Sequence, residues 1–291
     1  MASDVATVTR TEQELSGLDA LELASGSGHS RTSRLWNGTW PKVAAVALAV
    51  AIWQLVVWSG ARPSYALPGP GPVFAELGRL LASGDFWSAV LTTMRRAVVG
   101  FAAATVIGVV VGVATARIRP LRVAIGSLIT GLQTMPSIAW FPLAILLFQL
   151  SESAIYFVVI LGAAPSVANG VIGGVDYVPP LLLRVGRNLG ASGLSLYRHV
   201  ILPASLPSIV AGLKQGWAFA WRSLMAGELL VIIAASPSLG VKLQFSRELN
   251  DAEGLIATMI VILVIGILVD MVFSRANDAI RRRWGVLDAA A

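Results

Sequence analysis

The sequence predicts an all-α membrane protein with about six transmembrane helices, and three observations predict it. Hydrophobic residues make up 56% of the 291-residue chain and charged residues 13%. That is roughly half the charged share of an ordinary soluble domain, too little to cover a soluble fold. Charge-free apolar runs recur at the length needed to cross a bilayer core, about 20 residues. Lys and Arg gather at the ends of those runs, where the positive-inside rule puts them. The net charge of +6 follows from that placement. No basic, aromatic-interleaved face of the kind that binds nucleic acid is visible, and no nucleic-acid partner is expected.

Residue types exclude much chemistry. The chain has no cysteine and two histidines, which leaves no thiolate nucleophile, no Cys site and almost nothing for a histidine-based metal or triad site. None of its lysines (Lys42, Lys214 and Lys242) follows a glycine, so a Gly-Lys-Ser/Thr phosphate loop is missing. No catalytic residue, metal or cofactor of its own is expected.

Residues 1–42, rich in Ser, Thr, Gly and charge, read as a disordered cytoplasmic tail. The first apolar run starts only after Lys42, so it reads as a retained anchor and not a secretory signal. This run, 43–61, carries Trp53 and Trp58, with Trp40 at its other edge, and tryptophans favour membrane interfaces. ALPGPGP (66–72) is a rigid turn, and Pro72 suits a first helical turn. The apolar spacing of Val73, Leu77, Leu80 and Leu81 and the piece DFWSAVLTTMRR (85–96) predict two short helices at the outer surface. Residues 97–116 form the second span, with Gly100, Gly108 and Gly112 for close helix approach. ARIRPLR (116–122) is a basic turn. The third span, 123–151, should bend at Pro136 or Pro142, and the fourth, 153–175, carries Pro165 and Asn169. A long cytoplasmic loop, 176–204, precedes a fifth span, 205–235, interrupted by Lys214, Arg222 and Glu228. An outer acidic loop (236–254) with Glu248, Asp251 and Glu253 reads as solvated. The sixth span, 254–273, holds Asp270, and 276–291 is a cytoplasmic basic tail. The membrane domain is thus 43–275.

With both termini inside, fourteen Lys and Arg fall in cytoplasmic segments and six in outer ones. The expected orientation is N-in, C-in.

The polar segment NLGASGLSLYRHVILPASLP (188–207) lies in the long loop. As a helix, 194–201 places Leu194, Leu196, Tyr197, Val200 and Ile201 on one side, and Ser195, Arg198 and His199 on the other. Gly190 and Gly193 permit a reversal before it, and Pro203 and Pro207 should stop it. Pattern alone is compatible with a helix resting on the lipid surface. Gly190, Leu202 and Pro203 stand at the spacing of the cytoplasmic signature of binding-protein-dependent ABC-transporter permeases, which the segment resembles. Val200 replaces the usual Ile, and Arg184, Val185 and Gly186 occupy its Glu-Ala-Ala positions, so the usual acid is replaced by a base. LPGPGPVFAEL, TTMRRAVVGFAAATVIGVVVG, MPSIAWFPLAILLF and AWRSLMAGELLV are similar to the nitrate, sulfonate and taurine importer branch, over roughly 66–275.

The resemblance implies a type I ABC importer permease fold. It also implies a coupling helix around Asn188, Leu189, Gly190, Ala191, Ser192, Leu194, Tyr197, Arg198 and Pro203 that docks on a separate ATPase. ATP and Mg would be held by that partner. A solute-binding protein outside, a second copy of the chain and the cell membrane complete the expected assembly. The substrate implied is a small oxyanion or organosulfonate, with pyrimidine- or riboflavin-like compounds as the alternative.

Charges inside spans are costly and usually face a bundle interior or a water-filled cavity. Arg222 and Lys214 would make a path electropositive, although Lys214 could instead snorkel to phosphates. Glu228 lines the same path or partners Arg222, Arg95 or Arg96. Gln133, Thr134 and Ser137 line it too, or satisfy backbone groups freed by Pro136. A proton-coupled carrier built on Glu228 or Asp270 is the rival class; it leaves the signature segment unexplained. A membrane enzyme would want a clustered set of catalytic groups at one face.

Overall fold

The computed structural model describes residues 31–233 and 236–283. Every regular element among them is helical. Helix α1 (Arg31–Trp58) belongs to a unit of its own that ends at Ala61, and the remaining helices form a second unit from Arg62 onward. Five helices are long and apolar enough to cross a membrane, and a bent pair raises the number to six. Of the tail expected over 1–42, residues 1–30 lie outside the described residues, whereas 31–42 are already part of α1.

The second unit opens with α2 (Pro70–Ala82), whose first turn contains Pro70 and Pro72, where a missing N–H is harmless. The next helix corrects an expectation. Residues 85–96 are not a separate surface piece but the first turns of α3 (Gly84–Arg117). The sequence suggested a break because Arg95 and Arg96 interrupt the apolar run; the structure supplies acidic partners for both. The basic turn at 116–122 shrinks to Ile118, after which α4 (Arg119–Thr134) begins with Pro120 in its first turn.

The third span bends as expected, by 105° at Met135–Pro136. It continues through a 3₁₀ turn (Ser137–Trp140) into α5 (Phe141–Phe148). Helix α6 (Glu152–Asp176) is the central element, packed between α3 and α9 (Leu202–Leu230). Its small residues explain the closeness. A methyl added to Gly170 would lie 2.6 Å from the Gly212 Cα on α9, and one added to Gly108 would lie 2.7 Å from the Ala164 carbonyl oxygen. Backbone-to-backbone approach of this kind is how helices gain packing energy where lipid removes the hydrophobic drive. Phe141, Ile155, Val158, Val159, Leu224 and Val231 fill the core around it.

The cytoplasmic loop expected over 176–204 is mostly helical: α7 (Pro180–Asn188), a single turn α8 (Gly193–Leu196) and a π-helical turn (Tyr197–Ile201) that runs into α9. The outer loop expected over 236–254 holds α10 (Leu239–Glu248); Leu239 is fully buried, whereas the acidic Glu248 and Asp251 are exposed as expected. The last helix, α11 (Ala252–Arg283), extends beyond the apolar run into the expected basic tail, and 284–291 lie outside the described residues.

Candidate functional site

The signature segment is built by two local devices. At the end of α7 the Gly190 N–H bonds to the Arg187 carbonyl (2.9 Å) and the Ala191 N–H to the Gly186 carbonyl (2.9 Å). This pair of bonds is a Schellman C-cap. It requires a left-handed residue at Gly190, whose φ is +86°. No atom lies near the position of a Gly190 Cβ, so the glycine is needed for its backbone angle and not for space. Gly186 is the opposite case. A methyl there would meet Val200 Cγ2 at 2.8 Å and Leu196 Cδ1 at 3.1 Å, which locks α7 onto the following turns.

The second device concerns the prolines. Pro203 and Pro207 do not end a helix, contrary to the sequence expectation. Pro203 lies in the first turn of α9 and Pro207 inside it. Pro203 has no N–H for the His199 carbonyl, and a proline ring crowds that carbonyl in a regular α-turn. The chain widens instead: the Leu202 N–H reaches the Tyr197 carbonyl in a π-type bond. Ser205 Oγ donates to the carbonyls of Ile201 (2.7 Å) and Gly174 (2.9 Å), tying this region to α6. Residues 193–230 therefore form one continuous helical rod.

Around these devices Asn188, Leu189, Ser192, Leu194 and Arg198 are exposed, Ala191, Tyr197 and Pro203 half-buried, and Leu196 buried. Leu189 and Leu194 are 82% and 80% exposed. The Arg117 guanidinium sits 4.2 Å above the Tyr197 ring.

The intramembrane candidates separate into three places. Arg222, Gln133, Thr134 and Ser137 come together around a cavity of about 240 Å³ where the α4–α5 bend meets α9. Arg222 is exposed there, stacked 5.1 Å from Phe219, and among the described residues no carboxylate pairs with it. Gln133 is braced by α6: its Nε2 donates to Ser166 Oγ (3.1 Å) and its Oε1 accepts from Asn169 Nδ2 (2.6 Å). Thr134 Oγ1 donates to the Gly131 carbonyl at 2.9 Å. Asn169 had no assigned role in the sequence; its only signal was a polar residue in an apolar span.

Lys214 is elsewhere, bonded to Asp270 (3.1 Å) and Ser274 (2.9 Å) on α11. Asp270 is thus an ion-pair partner. Glu228 also lies away from the Arg222 cavity. It is fully buried and accepts from Arg96 Nη1 (3.1 Å), Thr93 Oγ1 (2.9 Å) and the Gly240 N–H (3.1 Å). Of the partners considered for it, the structure selects Arg96. Arg96 in turn reaches Glu152 Oε1, as does Arg95. The Leu239 N–H donates to Thr93 Oγ1 at 3.0 Å. This network fastens the start of α10 to α3, α6 and α9.

Comparison with known proteins decides the family. Residues 104–286 match the family described as binding-protein-dependent transport system inner membrane component. The chain belongs to this family. A putative ABC transporter permease protein of Methanocaldococcus jannaschii is 30% identical over 79% of this chain and 86% of its own length. A putative aliphatic sulfonates transport permease, SsuC of Escherichia coli, is 30% identical over 81% of this chain and 88% of its own length. The taurine transport system permease protein TauC of the same organism is 27% identical over 84% and 90%. In structure, the MetNI methionine ABC transporter in an inward-facing form matches with a TM-score of 0.58 at 18% identity, over 67% of this chain and 96% of that one. The protein is a multi-pass, all-helical permease subunit of an ABC importer, of the sulfonate and taurine branch that the sequence resembles, and its fold is that of type I importer permeases. It is not itself the enzyme: ATP hydrolysis belongs to a separate subunit, and the family implies an ATPase and a binding protein as partners.

Proposed function

We propose that the permease moves a small anion, a sulfonate, taurine or nitrate-like oxyanion, through a path lined by Arg222, Gln133, Thr134 and Ser137. The observation that carries this is Arg222 itself: an exposed guanidinium with no carboxylate partner among the described residues, beside a polar cavity at a helix bend. A charge so placed recruits an opposite charge, and in a membrane it must face a cavity or another protein and not lipid. A second copy of the chain, closing the path over the exposed face of Arg222, meets that requirement and makes the permease a homodimer. The relatives that transport aliphatic sulfonates and taurine by name support the substrate class. Bicarbonate, named for a relative from Synechococcus elongatus, belongs to the same chemical class of small anion.

In this reading the segment from Asn188 to Pro203 docks on the ATPase, which holds ATP and Mg. Its exposed Leu189 and Leu194 supply the apolar contact. Closure of two ATPases then moves the helical rod 193–230 as a rigid body. The basic bias of the loops supports both termini on the ATPase side, in the cell membrane.

The test is uptake by the complete transporter in proteoliposomes, with a panel of taurine, an alkanesulfonate, nitrate, bicarbonate and a neutral pyrimidine. Uptake of at least one anion, weakened selectively by Arg222→Met, is expected. Uptake of the pyrimidine alone, unaffected by Arg222→Met, would overturn the anion reading.

A further inference from the structure

A second cavity, of about 540 Å³, lies between the end of α3, the end of α6 and the turns that lead into α9. Its floor is apolar: Val113 from α3, Val171 and Val175 from α6, Ile201 from the π turn and Ile209 from α9. Two arginines stand among its lining residues, and both are exposed. Arg117 is the last residue of spanning helix α3 and is held over the Tyr197 ring; Arg198 follows Tyr197 directly. Neither forms an ion pair among the described residues. The end of a spanning helix is the level of the headgroups, so the arginines lie where phosphates are and the valine-lined floor where acyl chains begin.

We propose that this groove is a binding site for an anionic phospholipid, its headgroup on Arg117 and Arg198 and an acyl chain over Val113 and Ile209. Charge complementarity selects the occupant. A zwitterionic lipid fills the apolar floor equally well but brings a cationic group toward two guanidiniums. A hydrophobic protein segment satisfies neither arginine. The lipid would touch Tyr197 and Arg198, which belong to the signature segment, so occupancy stiffens the junction between that segment and the membrane. The site requires only that the chain spans a membrane, and it is independent of the transported substrate.

The experiment is native mass spectrometry of the full chain, purified and delipidated in detergent, titrated with phosphatidylglycerol and with phosphatidylcholine of the same acyl chains. A basic residue near a membrane surface attracts an anionic lipid by about fivefold, so two arginines give an expected preference of about thirtyfold for phosphatidylglycerol. Arg117→Gln with Arg198→Gln should abolish that preference and leave phosphatidylcholine binding unchanged. Val113→Trp, which fills the groove and keeps both arginines, should weaken both lipids. Equal binding of the two lipids, or a preference that survives the double substitution, would overturn the proposal. So would unchanged binding by Val113→Trp, or displacement of phosphatidylglycerol by millimolar inorganic phosphate, which would mark a free-anion site. No transport is measured, so failure here leaves the anion path standing.

Discussion

Replacing Arg96 by Met tests how the end of the bundle around α10 is held. Arg96 and Glu228 are 1% and 0% exposed and meet at 3.1 Å. Met matches much of the arginine's volume but strips Glu228 of its counter-charge. Glu228 would keep only Thr93 and the Gly240 N–H, while Glu152 keeps Arg95. Removing one partner of a buried pair costs about 3–5 kcal/mol, because a charge is left uncompensated. Glu228→Gln is gentler. Its oxygen can still accept from Thr93 and Gly240, but its NH₂ then faces Arg96 Nη1, a donor against a donor. A misplaced donor of this kind costs about 1–3 kcal/mol. In the double variant Arg96→Met with Glu228→Gln both conflicts vanish, so the two losses should fall short of adding by about 1–3 kcal/mol. Unfolding by sodium dodecyl sulfate in mixed micelles, followed by far-UV circular dichroism, gives the four free energies of the cycle. An Arg96→Met variant within about 1 kcal/mol of the parent, or strict additivity, would refute the idea that this pair braces α10 against α3 and α9.

Gly190→Leu places a side chain in a left-handed backbone position, at a local cost of about 1–2 kcal/mol. It should insert normally yet lose co-purification with the ATPase, and full co-purification with normal transport would argue against the docking role. Gly212→Leu drives a side chain into the Gly170 backbone and should abolish the folded state in a thermal-unfolding assay, whereas Gly173→Leu, with nothing near its Cβ, should be tolerated. Arg222→Met removes a charge-assisted contact worth about 1.5–3 kcal/mol, so anion uptake in proteoliposomes should fall about tenfold or more. Equal loss for a neutral solute would assign Arg222 to structure.

Spans were legible because lipid imposes a length and excludes charge, and the bend was legible because Pro136 cannot give its neighbours an N–H. Boundaries were less so. The 85–96 piece looked like surface because Arg95 and Arg96 follow one another, and nothing near them in sequence shows that Glu152 and Glu228 await them from other helices. The same limit blurred Lys214, Arg222 and Glu228. Helical angles put them on one side of α9, but the neighbours differ along its length: α11 takes Lys214, the α4–α5 bend meets Arg222, and α3 takes Glu228. Periodicity gives direction around a helix, and only packing says what stands there. Helix α10 was missed because its mixed composition resembles a loop, and its burial depends on a carboxylate twelve residues earlier.

The distribution of constraints along the rod 193–230 bears on how a push would travel. Near its start Gly186 is closed on Leu196 and Val200, and Ser205 is bonded to Gly174. In the middle Gly170 and Gly212 leave no room for a side chain between α6 and α9. At its far end Glu228 is fixed by Arg96 and by the N-terminus of α10. Tight backbone contacts resist sliding, so α6 and α9 move together or not at all. Arg222 sits beyond the glycine contact and before the Glu228 anchor, on the face that opens to the α4–α5 bend. The bend is also where Pro136, with no N–H to donate, interrupts the regular helical ladder. On the proposed docking, a displacement applied at Leu194 would travel about 42 Å of helix, at 1.5 Å per residue, to the joint near Arg222. On the proposed reading, that joint is where access to the path changes, and stiffening it at Met135 or Pro136 should slow transport while leaving ATPase docking intact.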